Sequence, residues 1–130
     1  MRVDDGDPAA VGRSGVALRE PIVVPRVLDA GIRARVIDCY SVKPIDAGTL
    51  VAAAQATSGR IVIAEDHHPE GGLGSAVTDA ILQTGVANLS IAHLAVRGMP
   101  GSGTSEELLA WAGIDAQHIA GAARRLTGNG

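Results

Sequence analysis

A buried apolar segment followed by a glycine-rich loop and an amphipathic helix is the feature that most constrains the fold of this 130-residue chain. Arg60–Glu65 contains consecutive apolar residues at its centre, which predicts a strand buried on both faces, as in a parallel sheet. The polar loop Asp66–Gly72 follows, and Leu73–Thr84 has the apolar spacing of a helix. One such strand–loop–helix unit favours an α/β domain.

Similar strand and helix signals lie on both sides of this unit. Before it, the sequence predicts a strand over Arg33–Cys39 and a helix that Asp46 caps and Gly59 ends. After it, a strand is predicted over Leu89–Val96. Strands that alternate with helices predict a three-layer α/β/α fold with a mostly parallel sheet of about five strands.

Two short helices are predicted to close the chain. Thr104 or Ser105 caps the first of them, and Gly113 terminates it. Asp115 caps the second, which covers Ala116–Leu126.

The first 30 residues carry weaker signals. Residues 1–15 are polar and glycine-rich, which predicts a flexible N-terminal tail, and the domain itself covers residues 16–130. Val16–Glu20 has the character of a helix start, but Pro21 and Pro25 interrupt it, since a proline inside a helix costs roughly 3 kcal/mol. The sequence therefore leaves the first βα unit undefined.

Composition excludes several classes of function. The net charge is −3 and no basic patch stands out, so binding to nucleic acid or to an anionic membrane is not expected. No apolar run is long enough to cross a bilayer. Cys39 is the one cysteine, which rules out an internal disulfide, and the acidic N-terminus does not resemble a signal peptide. Both features predict a cytoplasmic protein.

The loop after the strand at residues 60–65 is the candidate site. It carries carboxylates and imidazoles at the end of the strand, where open α/β sheets bind ligands, and glycines before a helix N-terminus, which favours anions. These residues are Glu65, Asp66, His67, His68, Gly71, Gly72 and Gly74. Two interpretations stay open: a small anion or phosphate site, or a tight turn that needs positive φ and close helix–strand packing.

Two other chemistries are weaker interpretations of the same loop. A metal site is disfavoured because adjacent residues at a strand end point in different directions and no second cluster of ligands is visible. Acid–base catalysis by His67 or Glu65 is chemically feasible, but the chain offers no cofactor domain for it to act on. We therefore assign no catalytic residue and no metal ligand.

Three segments resemble the C-terminal domain of transketolase, within the thiamine-diphosphate-dependent enzymes. Val36–Asp46 resembles its second strand and turn, Glu65–Val77 resembles its strand–loop–helix segment, and Gly113–Ile119 resembles its ending. Together the matching segments span the chain from about Gly31 to Leu126, in the same order and spacing. The upstream region departs from the pattern at Pro21 and Pro25.

The resemblance implies a function that this chain does not perform alone. Complete enzymes of the family transfer two-carbon ketol units between sugar phosphates in the pentose phosphate pathway, with thiamine diphosphate and magnesium bound between their first two domains. The C-terminal domain supplies few or no catalytic groups. The expectation is therefore a structural, docking or dimer-supporting role, with an inactive isolated chain that binds no cofactor. The expected partners are other transketolase domains or subunits, or a second copy of the chain.

Three alternatives stay open. The first alternative is a subunit of a split transketolase. The second is a gene remnant, which the prolines of the first helix suggest. The third is a free-standing module that binds anions or nucleotides through the Gly71–Gly74 loop.

Overall fold

Strands and helices alternate along the part of the chain that the computed structural model describes, residues 2–4 and 31–128. The strands within these ranges are β1 (Arg2–Asp4), β2 (Val36–Asp38), β3 (Arg60–Ala64) and β4 (Ser90–Leu94). The helices are α1 (Ala47–Ala56), α2 (Leu73–Leu82), α3 (Ser105–Ala112) and α4 (Ala116–Thr127). The α/β class that the alternating pattern predicts is confirmed.

The described strands form one parallel pair and one antiparallel pair. In the parallel pair, β3 lies beside β4 with Ile63 opposite His93. In the antiparallel pair, β1 lies beside β2 with Val3 opposite Ile37. Among the described residues, the parallel direction of β3 and β4 agrees with the prediction, and the antiparallel pairing of β1 with β2 is an addition to it. The antiparallel strand comes from a short polar segment that has no apolar pattern to reveal it.

Several predicted boundaries also differ from the structure. The strands are shorter than predicted, since β2 and β4 occupy only the centres of Arg33–Cys39 and Leu89–Val96. Within the predicted tail at residues 1–15, Arg2–Asp4 form a strand, and the remainder of that tail lies outside the described residues. The interrupted helix that begins at Val16 lies outside them too.

Helices cover both faces of the β3–β4 pair. On one face, α1 and α2 contact each other and share an apolar core with β3. On the other, α4 contacts β3 and β4 and buries three apolar side chains. The core on the first face contains Leu50, Ala54, Ile63, Val77 and Ile81, and the side chains that α4 buries are Ile119, Ala120 and Ala122. This layering leaves the carboxyl ends of β3 and β4 at one edge of the domain.

Polar side chains cap the helices as the sequence predicts. The Asp46 carboxylate accepts a hydrogen bond from the Thr49 N–H at 3.0 Å, and the Asp115 carboxylate accepts one from the His118 N–H at 2.9 Å. Thr104 forms a capping box with Glu107, in which each residue bonds the backbone N–H of the other. These bonds satisfy N–H groups that a helix start leaves unpaired.

No helix in the described residues combines the length and the apolar character that crossing a bilayer requires.

Candidate functional site

The Glu65 carboxylate joins three segments of the chain at the carboxyl end of β3. Its Oε2 accepts a hydrogen bond from the Leu73 N–H at 2.6 Å, and its Oε1 accepts one from the Gly74 N–H at 3.0 Å. Oε1 also lies 2.5 Å from Nε2 of His93, on β4. Glu65 is only 7% exposed. We call the carboxylate and these three donors the Glu65 clamp.

The clamp keeps Glu65 ionised although the side chain is buried. Burial alone raises the pKa of the carboxyl group, because the charged form loses solvation. The bonds from Gly74, His93 and Leu73 outweigh that effect and lower the pKa below its ordinary value of 4.5. The first turn of α2 adds the positive end of the helix dipole. The carboxylate is therefore an acceptor at neutral pH. Nε2 of His93 is the donor in the hydrogen bond between the two side chains.

His93 is the member of the clamp that the sequence does not reveal. It lies within the predicted strand Leu89–Val96, 28 residues from Glu65, and no local pattern links the two side chains. The register explains the contact: His93 lies opposite Ile63, and Glu65 is two residues further along the chain from Ile63, on the same face. Parallel pairing of the two predicted strands in this register is the signal that would have found it.

The glycines of the loop have two different structural roles. Gly71 has a φ of +73°, a left-handed conformation that other residues adopt at a cost. Gly72 and Gly74 have no such φ, but a Cβ at either position would overlap the clamp. At Gly72 it would meet the Glu65 carboxylate, and at Gly74 it would meet the His93 ring. Both glycines let the start of α2 approach the strand ends closely.

The remaining loop residues face solvent on a well-anchored backbone. Asp66, His67 and His68 are exposed, but the His67 ring lies beside Gly72, where a Cβ would come within 2.8 Å of its Nδ1. The structure therefore brings Glu65 and His67 close to the glycines of the loop. The His67 ring donates from Nδ1 to the His68 carbonyl at 2.8 Å, since a carbonyl oxygen can only accept. The His67 carbonyl accepts from the Val96 N–H at 2.9 Å, which links the loop to the segment after β4.

Among the described residues, the Glu65 carboxylate belongs to no cluster of metal-ligating side chains and is bonded within the fold. Over residues 31–128, no group of three or more His, Cys, Asp and Glu side chains is arranged to hold a metal ion. The Glu65 oxygens already accept three bonds inside the protein. A general base needs a free lone pair within reach of a substrate, whereas three of the roughly four lone-pair sites of Glu65 are engaged and the residue is 7% exposed. Acid–base catalysis by His67 stays a prediction.

The protein's own carboxylate occupies the helix N-terminus that an external anion would use. The N–H groups of Leu73 and Gly74 point at Glu65, and the Gly71 N–H donates to Ser75 Oγ at 3.1 Å. An incoming phosphate would have to displace a buried ion to reach the first two. Anion binding through Gly71–Gly74 therefore stays a prediction, which calorimetry with sugar phosphates and nucleotides tests.

Comparison with known proteins gives consistent similarities. The family described as "Transketolase, C-terminal domain" matches residues 22–119. "Transketolase-like protein 1" of Bos taurus is 40% identical over 127 residues, which are 97% of this chain and 21% of that protein. "Transketolase" of Homo sapiens is 40% identical over 121 residues, which are 92% of this chain and 19% of that protein.

A solved structure extends the similarity to three dimensions. It is titled "Split gene transketolase, inactive beta4 tetramer", and it matches with a TM-score of 0.68 and 34% sequence identity. The match covers 82% of this chain and 37% of that one. This chain spans about a fifth of the length of the relatives quoted above.

Proposed function

Because the chain belongs to the transketolase C-terminal domain family, we propose that it is a docking and assembly-supporting domain of a transketolase and has no turnover alone. The complete reaction is the transfer of two-carbon ketol units between sugar phosphates. In this proposal the chain contributes a rigid surface to that enzyme, and the reacting groups come from other domains or subunits.

The Glu65 clamp is the observation that carries the proposal. The carboxyl end of a parallel sheet is where α/β domains bind ligands, and here the acidic group at that position is engaged by three donors of its own fold. Its three partners fix β3, β4 and α2 relative to one another. A group held in this way stabilises a surface, and it does not exchange protons with a substrate.

Thiamine diphosphate and magnesium do not fit the described residues. A diphosphate–magnesium site requires several free oxygen ligands around the ion. The described residues offer no such cluster, and the one buried carboxylate is engaged by three donors. We therefore place the cofactor on other domains of the enzyme and derive no reaction step through it here.

The solved relative supports a role in assembly. Its title describes an inactive tetramer of beta chains, and this chain covers 37% of that chain. By analogy, the proposed partners are chains that carry the other transketolase domains, with self-association as a second mode. Catalysis would begin only when those domains are present.

A reconstitution assay tests the proposal. The pure chain is assayed for ketol transfer with thiamine diphosphate and magnesium, alone and mixed with the first two domains of human transketolase. We expect no turnover from the chain alone and a physical complex on mixing. Turnover by the pure chain would overturn the proposal, as would the absence of any complex at tens of micromolar.

A further inference from the structure

A groove opens beside the carboxyl end of β4, on the edge of the domain that carries the Glu65 clamp. Its volume is about 260 Å³, and it lies between the chain that follows β4 and the end of α3. The residues that matter to its chemistry are His93, Arg97, Gly98 and Trp111. Glu65 holds His93, so the groove and the clamp share a wall.

The groove presents a tryptophan to solvent. Trp111 is 51% exposed, although it lines the groove. Gly98 makes room for the indole, because a Cβ there would come within 3.3 Å of the Trp111 ring. Tryptophan is enriched among the residues that dominate the binding energy of protein interfaces, so Trp111 is the side chain of the groove best suited to contact a partner.

The charge of the groove differs from that of the chain as a whole. Of the described residues that line it, Arg97 is the one Lys, Arg, Asp or Glu side chain, whereas the chain carries a net charge of −3. The exposed Arg97 guanidinium donates to the His93 carbonyl at 3.3 Å, which orients it at the rim. An arginine has five donor hydrogens, so further bonds remain available to a carboxylate.

The walls of the groove are held in place before any partner arrives. The Val96 N–H donates to the His67 carbonyl at 2.9 Å, and the His93 ring bonds to Glu65. Binding to a preorganised surface loses less conformational entropy than binding to a mobile one. The groove is therefore suited to a partner with a fixed complementary shape.

We propose that this groove docks another domain of the transketolase, through an apolar side chain of the partner inserted against Trp111 and a neighbouring carboxylate paired with Arg97. The inference rests on the proposed function. The relatives have about four-fifths of their length outside the matched region, so such a domain exists in them. Charge complementarity selects an acidic, apolar patch as its docking surface.

A second copy of the chain fits the groove less well. In a twofold dimer the same patch faces itself, so residues near the axis meet their own copies. Two Arg97 guanidinium groups near the axis would repel each other, and none of the residues that line the groove is an Asp or Glu that could pair with them. A different domain avoids that repulsion.

The test measures the affinity of the full chain for the first two domains of human transketolase by isothermal titration calorimetry. The variants are Trp111→Ala and Arg97→Ala, with Leu82→Ala as a matched control. Leu82 is 60% exposed at the far end of α2, whose first turn contacts Glu65. Circular dichroism of each variant establishes that it is folded.

We expect at least a tenfold rise in Kd for Trp111→Ala and Arg97→Ala, and no change for Leu82→Ala. Trp111 is the one tryptophan of the chain, so 5-fluorotryptophan gives a single ¹⁹F signal that should shift on complex formation. Equal affinities for all variants and an unmoved signal would overturn the groove assignment and leave the proposed function standing. A wild-type chain that forms no complex would overturn both.

One outcome would reassign the groove to another occupant. If sedimentation shows that the chain self-associates and that Trp111→Ala alone abolishes this, while binding to the other domains is unaffected, the groove binds a second copy. That result also overturns the assignment made here.

Discussion

At the scale of single residues, Glu65 takes the place that a bound anion occupies at many helix N-termini. Its carboxylate accepts from two backbone N–H groups of α2 and from the His93 ring. Because the side chain is 7% exposed, water is poorly placed to replace any of these bonds. Removing the charge should therefore affect stability more than a surface substitution does.

Glu65→Gln tests the contribution of the charge with almost unchanged shape. The amide must turn its NH₂ group toward at least one donor of the clamp, which leaves buried N–H groups facing each other. We expect a loss of about 2 kcal/mol in the free energy of unfolding, within the range for a buried hydrogen-bonding group left unpaired. Urea denaturation measures the change.

The control for this variant is Glu70→Gln, which removes an exposed carboxylate from the same loop. Surface substitutions of this kind change stability by about 0.5 kcal/mol or less. Equal destabilisation by the two variants would contradict a specific role for the clamp.

The lowered pKa of Glu65 predicts how stability depends on pH. The folded protein holds the carboxyl pKa below its ordinary value of 4.5, so the unfolded chain binds a proton at higher pH than the folded chain does. The stabilisation is complete above about pH 4.5, and it is lost as the pH falls through the folded pKa. Urea titrations between pH 7 and pH 3 measure this loss.

Comparison with Glu65→Gln isolates the contribution of one group. The pKa values of Asp46, Glu107 and Asp115 are also lowered, by their bonds at helix starts, and these groups titrate in both proteins. The difference in stability between wild type and variant should therefore shrink toward acid pH. A difference that stays constant down to pH 3 would show that folding does not lower the pKa of Glu65.

The residue scale also marks a limit of prediction from the sequence. The strand, loop and helix around Glu65 follow from the apolar pattern and the glycines. The closeness of Glu65 to these glycines follows from the same local pattern. The partnership with His93 does not follow, because it depends on which strands are neighbours and in what register. An apolar pattern identifies strands but does not state how they pair.

At the scale of elements, the start of α2 lies close to the ends of β3 and β4 because glycine occupies two positions where a side chain would not fit. Gly72 is the N-cap of α2 and Gly74 lies in its first turn. A side chain at Gly74 would overlap the His93 ring, so the helix start would have to move away from β4. The short distance between the helix and the strand pair therefore depends on the absence of a Cβ at Gly72 and Gly74.

Gly74→Ala tests this dependence on close approach. Alanine favours a helix interior by about 1 kcal/mol over glycine, which alone would stabilise α2. The overlap with His93 opposes this gain, and overpacking in a close-packed region costs about 1–3 kcal/mol. We expect a net loss of stability in thermal unfolding, together with a shifted His93 ring resonance in NMR spectra.

Gly101→Ala is the matched control, because a Cβ at Gly101 meets nothing within 4 Å. Its Tm should equal or slightly exceed that of the wild type. A stabilised Gly74→Ala would mean that helix propensity dominates and that the close approach is unimportant.

The sequence predicts helix boundaries better than strand boundaries in this protein, for a local reason. Asp46, Thr104 and Asp115 act as caps within three or four residues of chain, so their role is visible without the fold. A strand ends where its neighbour stops pairing with it. This depends on distant residues, and it explains why β2 and β4 are shorter than their apolar segments.

At the scale of the whole molecule, two layers of helices enclose the β3–β4 pair, and the larger apolar core lies on one side only. Ile81 is the fully buried large side chain at its centre, and Leu50, Ile63 and Val77 contribute to the same cluster. The opposite side is packed mainly by the small residues of α4, Ala120 and Ala122. Stability should therefore depend unequally on the two sides.

Ile81→Ala tests the larger core. The substitution removes apolar contacts and leaves a cavity, which costs about 2–5 kcal/mol for residues of this size in a packed interior. The neighbouring Leu82 is 60% exposed, so Leu82→Ala serves as the control and should cost far less. Chemical denaturation of both variants measures the difference, and similar losses would contradict the assignment of the core.

Glu65 has a further consequence for the exchange of backbone hydrogens with solvent. The N–H groups at a helix start usually exchange quickly, because their partners are water or an exposed cap. The N–H groups of Leu73 and Gly74 donate to the buried Glu65 carboxylate, which also bonds to His93 on β4. Deuterium should therefore enter these two positions only when α2 separates from the strands, and much more slowly than at Glu106 in the exposed first turn of α3.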